Sequence, residues 1–243
     1  MIGLGTLINV AAIVVGGGIG LAGGKRLSSR AQQTLIRGMA VCVLFVAIGG
    51  VMEEMLVVEN GALRTRGTLM LVVSIALGGL MGELLDLDRR MRTLGDWVQT
   101  KTERLVKGDS GAPSISEGFV TASLLFCVGA MAIVGALQDG LTGDHSTLFA
   151  KSLLDGISSI VFGASLGLGV SFSAVAVLIY QGLIALLASF LAPLLGDAVI
   201  AEMTCVGSLL IVALSLNMLG LTKIKVMNLV PAILLPIVLC LFI

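Results

Sequence analysis

Few of the side chains with chemistry to offer are set within the long apolar runs of this sequence. Asn9, Asp155, Gln181 and Glu202 are the clearest cases. An ionisable or amide group inside a membrane span costs several kcal/mol unless it is paired or wet, so each is a candidate for a substrate or ion pathway. Lys151 and Asp155 stand four residues apart, which puts both on one helix face where they can pair. Tyr180 adjoins Gln181, Gln138 adjoins Asp139, and Asn217 and Asn228 complete the candidates. Glu53, Glu54 and Glu83 fall near the ends of their apolar runs and read as solvated. Amides with one or two carboxylates, and no lone buried Arg, suit a small cation or a polar solute. The other reading of each group is interhelical hydrogen bonding, worth about 0.6 kcal/mol on average.

Other chemistry is missing from the sequence. Cys42, Cys127, Cys205 and Cys240 lie in apolar runs without metal-ligand spacing and read as small buried thiols. His145, the only histidine, stands in a polar stretch with no Cys or His cluster beside it. There is no nucleophile–base set, no nucleotide-binding glycine loop and no metal-ligand helix motif. The expectation is a protein that is not an enzyme and has neither cofactor nor metal. An intramembrane enzyme built from distant helices is the third-ranked alternative.

The elements that must position these residues follow from composition. The 243 residues are 57% hydrophobic and 12% charged, with a mean hydropathy of +1.09. Soluble domains carry about 25% charged residues. Fifteen basic residues balance fifteen acidic ones, so there is no basic footprint for nucleic acid. The 32 glycines sit inside apolar runs, the usage of packed transmembrane helices. The lipid bilayer is thus the first partner, and the fold class is all-α, a polytopic bundle forming one membrane domain over 1–243.

A span needs about 20 apolar residues. Eight segments qualify: Ile2–Leu21, Leu35–Val58, Thr68–Leu87, Gly118–Leu137, Leu148–Val170, Ser171–Leu191, Ala198–Leu219 and Val226–Ile243. Gly167, Gly169 and Ser171 offer a tight hairpin between the fifth and sixth. Pro231 and Pro236 should kink the eighth. Basic residues set orientation. Twelve of the fifteen fall on one side: Lys25, Arg26, Arg30, Arg37, Arg89, Arg90, Arg92, Lys101, Arg104, Lys107, Lys223 and Lys225. Only Arg64, Arg66 and Lys151 fall on the other. Both termini are then predicted outside, and the segment 86–117 inside. Within that segment Leu87, Met91, Leu94, Val98 and Leu105 recur at helical spacing beside Trp97, the pattern of an interfacial amphipathic helix. A regulatory or docking helix is its alternative.

Three spans share a ladder of small residues: Gly16 and Gly20 in the first, Gly78 and Gly82 in the third, Gly163 and Gly167 in the fifth. Ala12, Ser74 and Ser159 extend the ladders by one turn. Small residues every four positions let another backbone approach, which drives helix packing in lipid. A second pair of segments also match: Cys127-Val-Gly-Ala-Met-Ala-Ile-Val and Cys205-Val-Gly-Ser-Leu-Leu-Ile-Val. Repeats in both directions of crossing are characteristic of secondary transporters.

The run Gly118–Val170 (GFVTASLLFCVGAMAIVGALQDGLTGDHSTLFAKSLLDGISSIVFGASLGLGV), the YQG of Tyr180–Gly182 and the KIKVMNLVPA of Lys223–Ala232 resemble the YqgA/YdfK-like family. The resemblance covers essentially the whole chain. It implies a multi-pass protein of the bacterial cytoplasmic (inner) membrane with a domain of unknown function, and it supplies no reaction or substrate. With the repeats and the polar residues at depth, the leading expectation is a secondary transporter or channel for an ion or small polar solute. The alternative is a non-transporting scaffold or partner subunit, with the glycine faces explained by packing or by a homo-oligomer.

Overall fold

A computed structural model of the chain describes residues 2–24, 28–59, 61–91, 93, 115–128 and 130–240. The long helices are α1 (Leu4–Gly24), α2 (Ser29–Met55), α3 (Thr68–Leu85), α4 (Ile115–Cys127), α5 (Ala130–Thr142), α6 (Ser146–Leu166), α7 (Leu168–Leu186) and α8 (Asp197–Met218). One turn, Ala188–Leu191, follows α7, and a segmented apolar helix, Val226–Leu239, ends the described chain. Among the described residues six helices are long and apolar enough to cross a membrane. The pair Ile115–Cys127 and Met131–Thr142, bent by 63° at their junction, makes a seventh if taken as one.

The helices are built inside out relative to those of a soluble protein. On α1, Thr6, Asn9, Ile13, Gly16, Gly17 and Gly20 are buried, while Leu7, Ile8, Val14, Val15 and Ile19 are exposed. On α6, Lys151, Ser152, Asp155, Ser159 and Gly163 are buried, while Leu153, Leu154 and Ile157 are exposed. Lipid tails are as apolar as Leu, so the large side chains gain nothing by turning inward, and close packing selects small and polar residues for the protein side.

Two features differ from the sequence expectation, and a third follows it. The second span stops at Met55, because Leu56–Glu59 pairs antiparallel with Ala62–Thr65 in a hairpin, Leu56 opposite Thr65 and Glu59 opposite Ala62. The β-branched Val57, Val58 and Thr65 favour that pairing once Gly61, at φ 76°, turns the chain. The fourth span is broken after Cys127. The eighth passes through a 3₁₀ stretch, Val230–Leu234, with Pro231 and Pro236 each near the start of a helical piece. Proline has no N–H to continue the ladder from the preceding turn. Of the segment 86–117, residues 92 and 94–114 lie outside the described residues, Trp97 among them.

The chain divides into two compact units. The first holds α1, α4, α6 and α7 with α5 from Met131 onward. The second holds α2 from Met39, the hairpin, α3, α8 and the C-terminal segment. In the first, the glycine ladders set the geometry. A Cβ at Gly16 would fall on the Gly156 carbonyl, one at Gly20 on that of Ile160, and one at Gly24 on that of Ala164. Both numbers rise by four together, so α1 and α6 run parallel with their backbones in contact. A Cβ at Gly163 would lie 2.7 Å from the Gly17 carbonyl oxygen. Gly167 has no such neighbour; its φ of 72° joins α6 to α7. In the second unit Gly78 lies against the backbone of Ala232 and Gly82 against that of Asn228. Also in the second unit, Val128 occupies the space a side chain at Gly207 would need.

Candidate functional site

The close approach of α1 and α6 brings polar side chains together where neither helix alone could satisfy them. Lys151 Nζ donates to both Asp155 carboxylate oxygens, at 2.8 Å to Oδ1 and 2.6 Å to Oδ2. Asn9, from α1, donates through Nδ2 to Asp155 Oδ2 at 3.0 Å and to Gln181 Oε1 of α7 at 3.3 Å. Asn9 and Gln181 are 0% exposed, Lys151 and Asp155 6%. The cluster thus carries one positive and one negative charge, closed on each other and sealed by three helices.

Carboxylate chemistry fixes the orientation of both amides. An ionised Asp155 only accepts, so Asn9 must present its NH₂ to it. The second hydrogen of that NH₂ then meets Gln181, which must present its carbonyl. Asn9 Oδ1 and Gln181 Nε2 are left over. Among the described residues neither has a hydrogen-bond partner, and neither do the enclosed hydroxyls of Thr6 and Ser159. Thr6 precedes Asn9 by three residues, and Ser159 follows Asp155 by four, so each lies on the same face as its neighbour. The hydroxyls of Ser74, Ser123 and Thr204 also have no partner among the described residues, whereas Ser152, Ser165, Ser173 and Ser215 each donate to a carbonyl of their own helix. Unpaired buried polar atoms each cost about 1–3 kcal/mol. Two of them, Asn9 Oδ1 and Gln181 Nε2, belong to side chains joined by hydrogen bonds to the one buried ion pair, and that marks it as the place in the first unit where a ligand has most to offer.

The remaining candidates serve other ends of the helices. Asp139, at 0% exposure, accepts from the backbone N–H groups of Gly3 (2.9 Å) and Gly5 (3.2 Å) and so caps the positive end of α1. His145 Nδ1 lies 3.0 Å from Asp139 Oδ1, within ion-pair range when the imidazole is protonated. Gln138 accepts from Thr147 Oγ1 at 2.8 Å across the turn between α5 and α6. Tyr180 is half-buried. In the second unit the Glu202 carboxylate rests on Gly67, at the start of α3, and Arg66 is the cation whose field reaches both Glu54 and Glu202. Asn217 closes the turn after α8: it donates to the Ile224 carbonyl and accepts from Thr222 and the Ile224 N–H. Asn228 accepts from the Asp88 N–H and donates to Glu83, which also pairs with Lys225 at 2.7 Å.

Sequence reading singled out Asn9, Lys151, Asp155 and Gln181, and the structure places them in one contact set. It brings none of Gln138, Asp139, Tyr180, Glu202, Asn217 or Asn228 into that set's hydrogen bonds. The capping role of Asp139 was not read from the sequence. Its signal was the start of α1, where Gly3 and Gly5 leave the helix without a side-chain cap of its own. Among the described residues no group of three or more His, Cys, Asp or Glu is placed to hold a metal.

The family described as "Protein of unknown function (DUF554)" matches residues 4–241. The chain is 38% identical over 123 residues to "Uncharacterized membrane protein YdfK" of Bacillus subtilis (strain 168), covering 51% of this chain and 54% of that protein. This match thus spans about half the length of each. It is 31% identical over 253 aligned positions to "Uncharacterized protein YqgA" of Escherichia coli (strain K12), covering 96% of this chain and 94% of that protein. No solved structure matches.

Proposed function

The chain belongs to the DUF554 family of proteins of unknown function, and on that footing we propose that it is a secondary transporter or channel of the bacterial cytoplasmic membrane, with Asn9, Lys151, Asp155 and Gln181 as its site. The observation that carries this reading is the cluster itself. Four polar side chains from three membrane-type helices are buried together, with two amide atoms unpartnered. A pair kept only to join helices has no need of orphaned groups around it, because each one subtracts from stability. The reading takes the bent pair α4–α5 as one span and Val226–Leu239 within an eighth, with both termini outside and residues 86–117 inside.

The direct test is solute flux into proteoliposomes containing the purified protein. The parent should give protein-dependent flux, and Asp155→Asn should lower it by about thirtyfold or more, the loss expected when one partner of a buried charge pair is removed. Folding is checked independently by the elution profile and thermal midpoint. A well-folded variant with unchanged flux would leave only a structural pair, and absence of flux in the parent favours the scaffold reading. The topology is tested separately with Ser110→Cys, which should resist impermeant thiol reagents in intact cells. Labelling from outside would overturn it.

A further inference from the structure

The charge arithmetic of the cluster restricts what it can take. We infer that the solute is a small zwitterion bearing a carboxylate and an ammonium with N–H donors; this rests on the transport reading above.

The four side chains divide into two halves. One half offers donors: Lys151 Nζ and Gln181 Nε2. The other offers acceptors: the Asp155 carboxylate and Asn9 Oδ1. The charged members close on each other at 2.6–2.8 Å, and the uncharged member of each half has no partner among the described residues. Asn9 bonds Asp155 directly and Gln181 bonds Asn9, so both leftover atoms belong to side chains joined to the ion pair by hydrogen bonds.

Three kinds of solute meet this arrangement differently. A lone cation drawn to Asp155 displaces Lys151 and leaves an unpaired buried ammonium. A lone anion drawn to Lys151 leaves an unpaired buried carboxylate. Removing one partner of a buried pair is strongly unfavourable because the other charge remains uncompensated. An uncharged solute has no charge with which to compete for either member. A zwitterion replaces one ion pair with two. Its carboxylate accepts from Lys151 and Gln181, and its ammonium donates to Asp155 and Asn9. No charge is left unpaired, and both orphaned amide atoms gain partners.

One part of the cluster can move while the rest is held. α1 and α6 are fixed by backbone contact at Gly16, Gly20 and Gly24, whereas Lys151 holds its ammonium on a flexible four-carbon stem. Opening the site requires only that this stem swing away from Asp155, one turn along the same helix. The ion pair then serves as the closed state, and the solute competes with it directly.

The experiment uses the full-length parent in proteoliposomes with a fixed set of probes: glycine and β-alanine as zwitterions, N,N,N-trimethylglycine as a zwitterion without ammonium N–H, sodium, acetate and acetamide. Glycine or β-alanine should enter well above protein-free vesicles, and trimethylglycine more slowly than glycine. Sodium, acetate and acetamide should stay at background. Lys151→Gln and Asp155→Asn should each lower zwitterion entry by about thirtyfold or more. The double variant Lys151→Gln/Asp155→Asn, which buries no unpaired charge, should fold and still fail to move zwitterions. Entry of sodium, acetate or acetamide with both primary-amine zwitterions at background overturns the inference and leaves the transport reading standing. Background flux for every probe overturns both. Undiminished zwitterion entry through the folded double variant overturns the inference, and if the variants do not fold, the probe comparison on the parent decides.

Discussion

Each unit contains a lysine, a carboxylate and an asparagine in the same bonding pattern, and the two sets differ mainly in burial. In the first, Lys151 pairs with Asp155 at 2.6 Å and Asn9 donates to the same carboxylate. In the second, Lys225 pairs with Glu83 at 2.7 Å and Asn228 donates to Glu83. The side chains of the first pair are 8% and 8% exposed; those of the second are 51% and 58% exposed. Water screens the second pair and can replace either member. Packing shields the first from most of the solvent, so its partners depend on each other. Chemistry alone therefore does not make a site: the same three residue types form a surface tether in one unit and a sealed charge pair in the other.

The largest effects should come from the ladders that make the burial possible. Gly20→Leu in the first unit and Gly82→Leu in the second should abolish folded yield, since even a Cβ at either position would fall on a carbonyl oxygen. Gly18→Ala and Gly23→Ala, with nothing within 4 Å of the added carbon, should hold or raise the thermal midpoint, alanine being favoured in helices by about 1 kcal/mol. Equal tolerance of all four changes would show that backbone contact does not hold either unit together.

Next in size is the buried pair. Lys151→Met strands Asp155 and should cost about 3–5 kcal/mol of stability. A second change, Asp155→Leu, should restore much of it, because an apolar pair of similar volume replaces an ion pair without leaving a charge. Lys225→Met should shift the midpoint far less. Similar losses for both lysines would break the contrast drawn from burial.

A smaller effect concerns pH at the exposed pair. Hydrogen bonding to Glu83 raises the Lys225 pKa above 10.5. The protonated form is thus favoured in the folded state. Its contribution to stability is fully present below pH 10.5 and fades as pH rises through the higher folded value. An unfolding midpoint followed across that range should fall a little more in the parent than in Lys225→Met.

The smallest effect lies at the start of α6. Asp144 accepts from the Ser146 backbone N–H at 2.9 Å, and this holds its carboxyl below the ordinary 3.8. The contribution is present above pH 3.8 and is lost as pH falls through the lower folded value. Asp144→Asn should remove that acid-side dependence with little change near neutrality, as read from backbone amide exchange at Ser146 and Thr147.

Much of the site was legible because of cost. A polar residue in an apolar run needs a reason, and Asn9, Asp155, Gln181 and Glu202 were conspicuous on that ground, with Lys151 added by its spacing from Asp155; Glu202 lies in the other unit. The same rule also selected Asn217 and Asn228, which lie near helix ends where they hold turns and a connection. Hydropathy gives the content of a run but not how far along it the water begins. The break at Cys127 and the hairpin at Leu56–Thr65 were missed for a similar reason. Apolar composition suits a strand or a broken helix as well as a continuous one.

The sequence by itself determined that this is a membrane-type helical chain and which faces its glycines favour, because both follow from composition and a period of four along one helix. It could not determine which helix each glycine face would meet. Gly20 meets Ile160 of α6, Gly82 meets Asn228, and Gly167 meets no neighbour and turns the chain instead. Partnership across α1, α6 and α7 is a matter of three-dimensional register, and register alone put Asn9 between Asp155 and Gln181, 146 and 172 residues away. Only the tertiary structure decided that one lysine–carboxylate–asparagine set would be sealed from water and the other left in it, because burial belongs to the packing of several helices and not to any one of them.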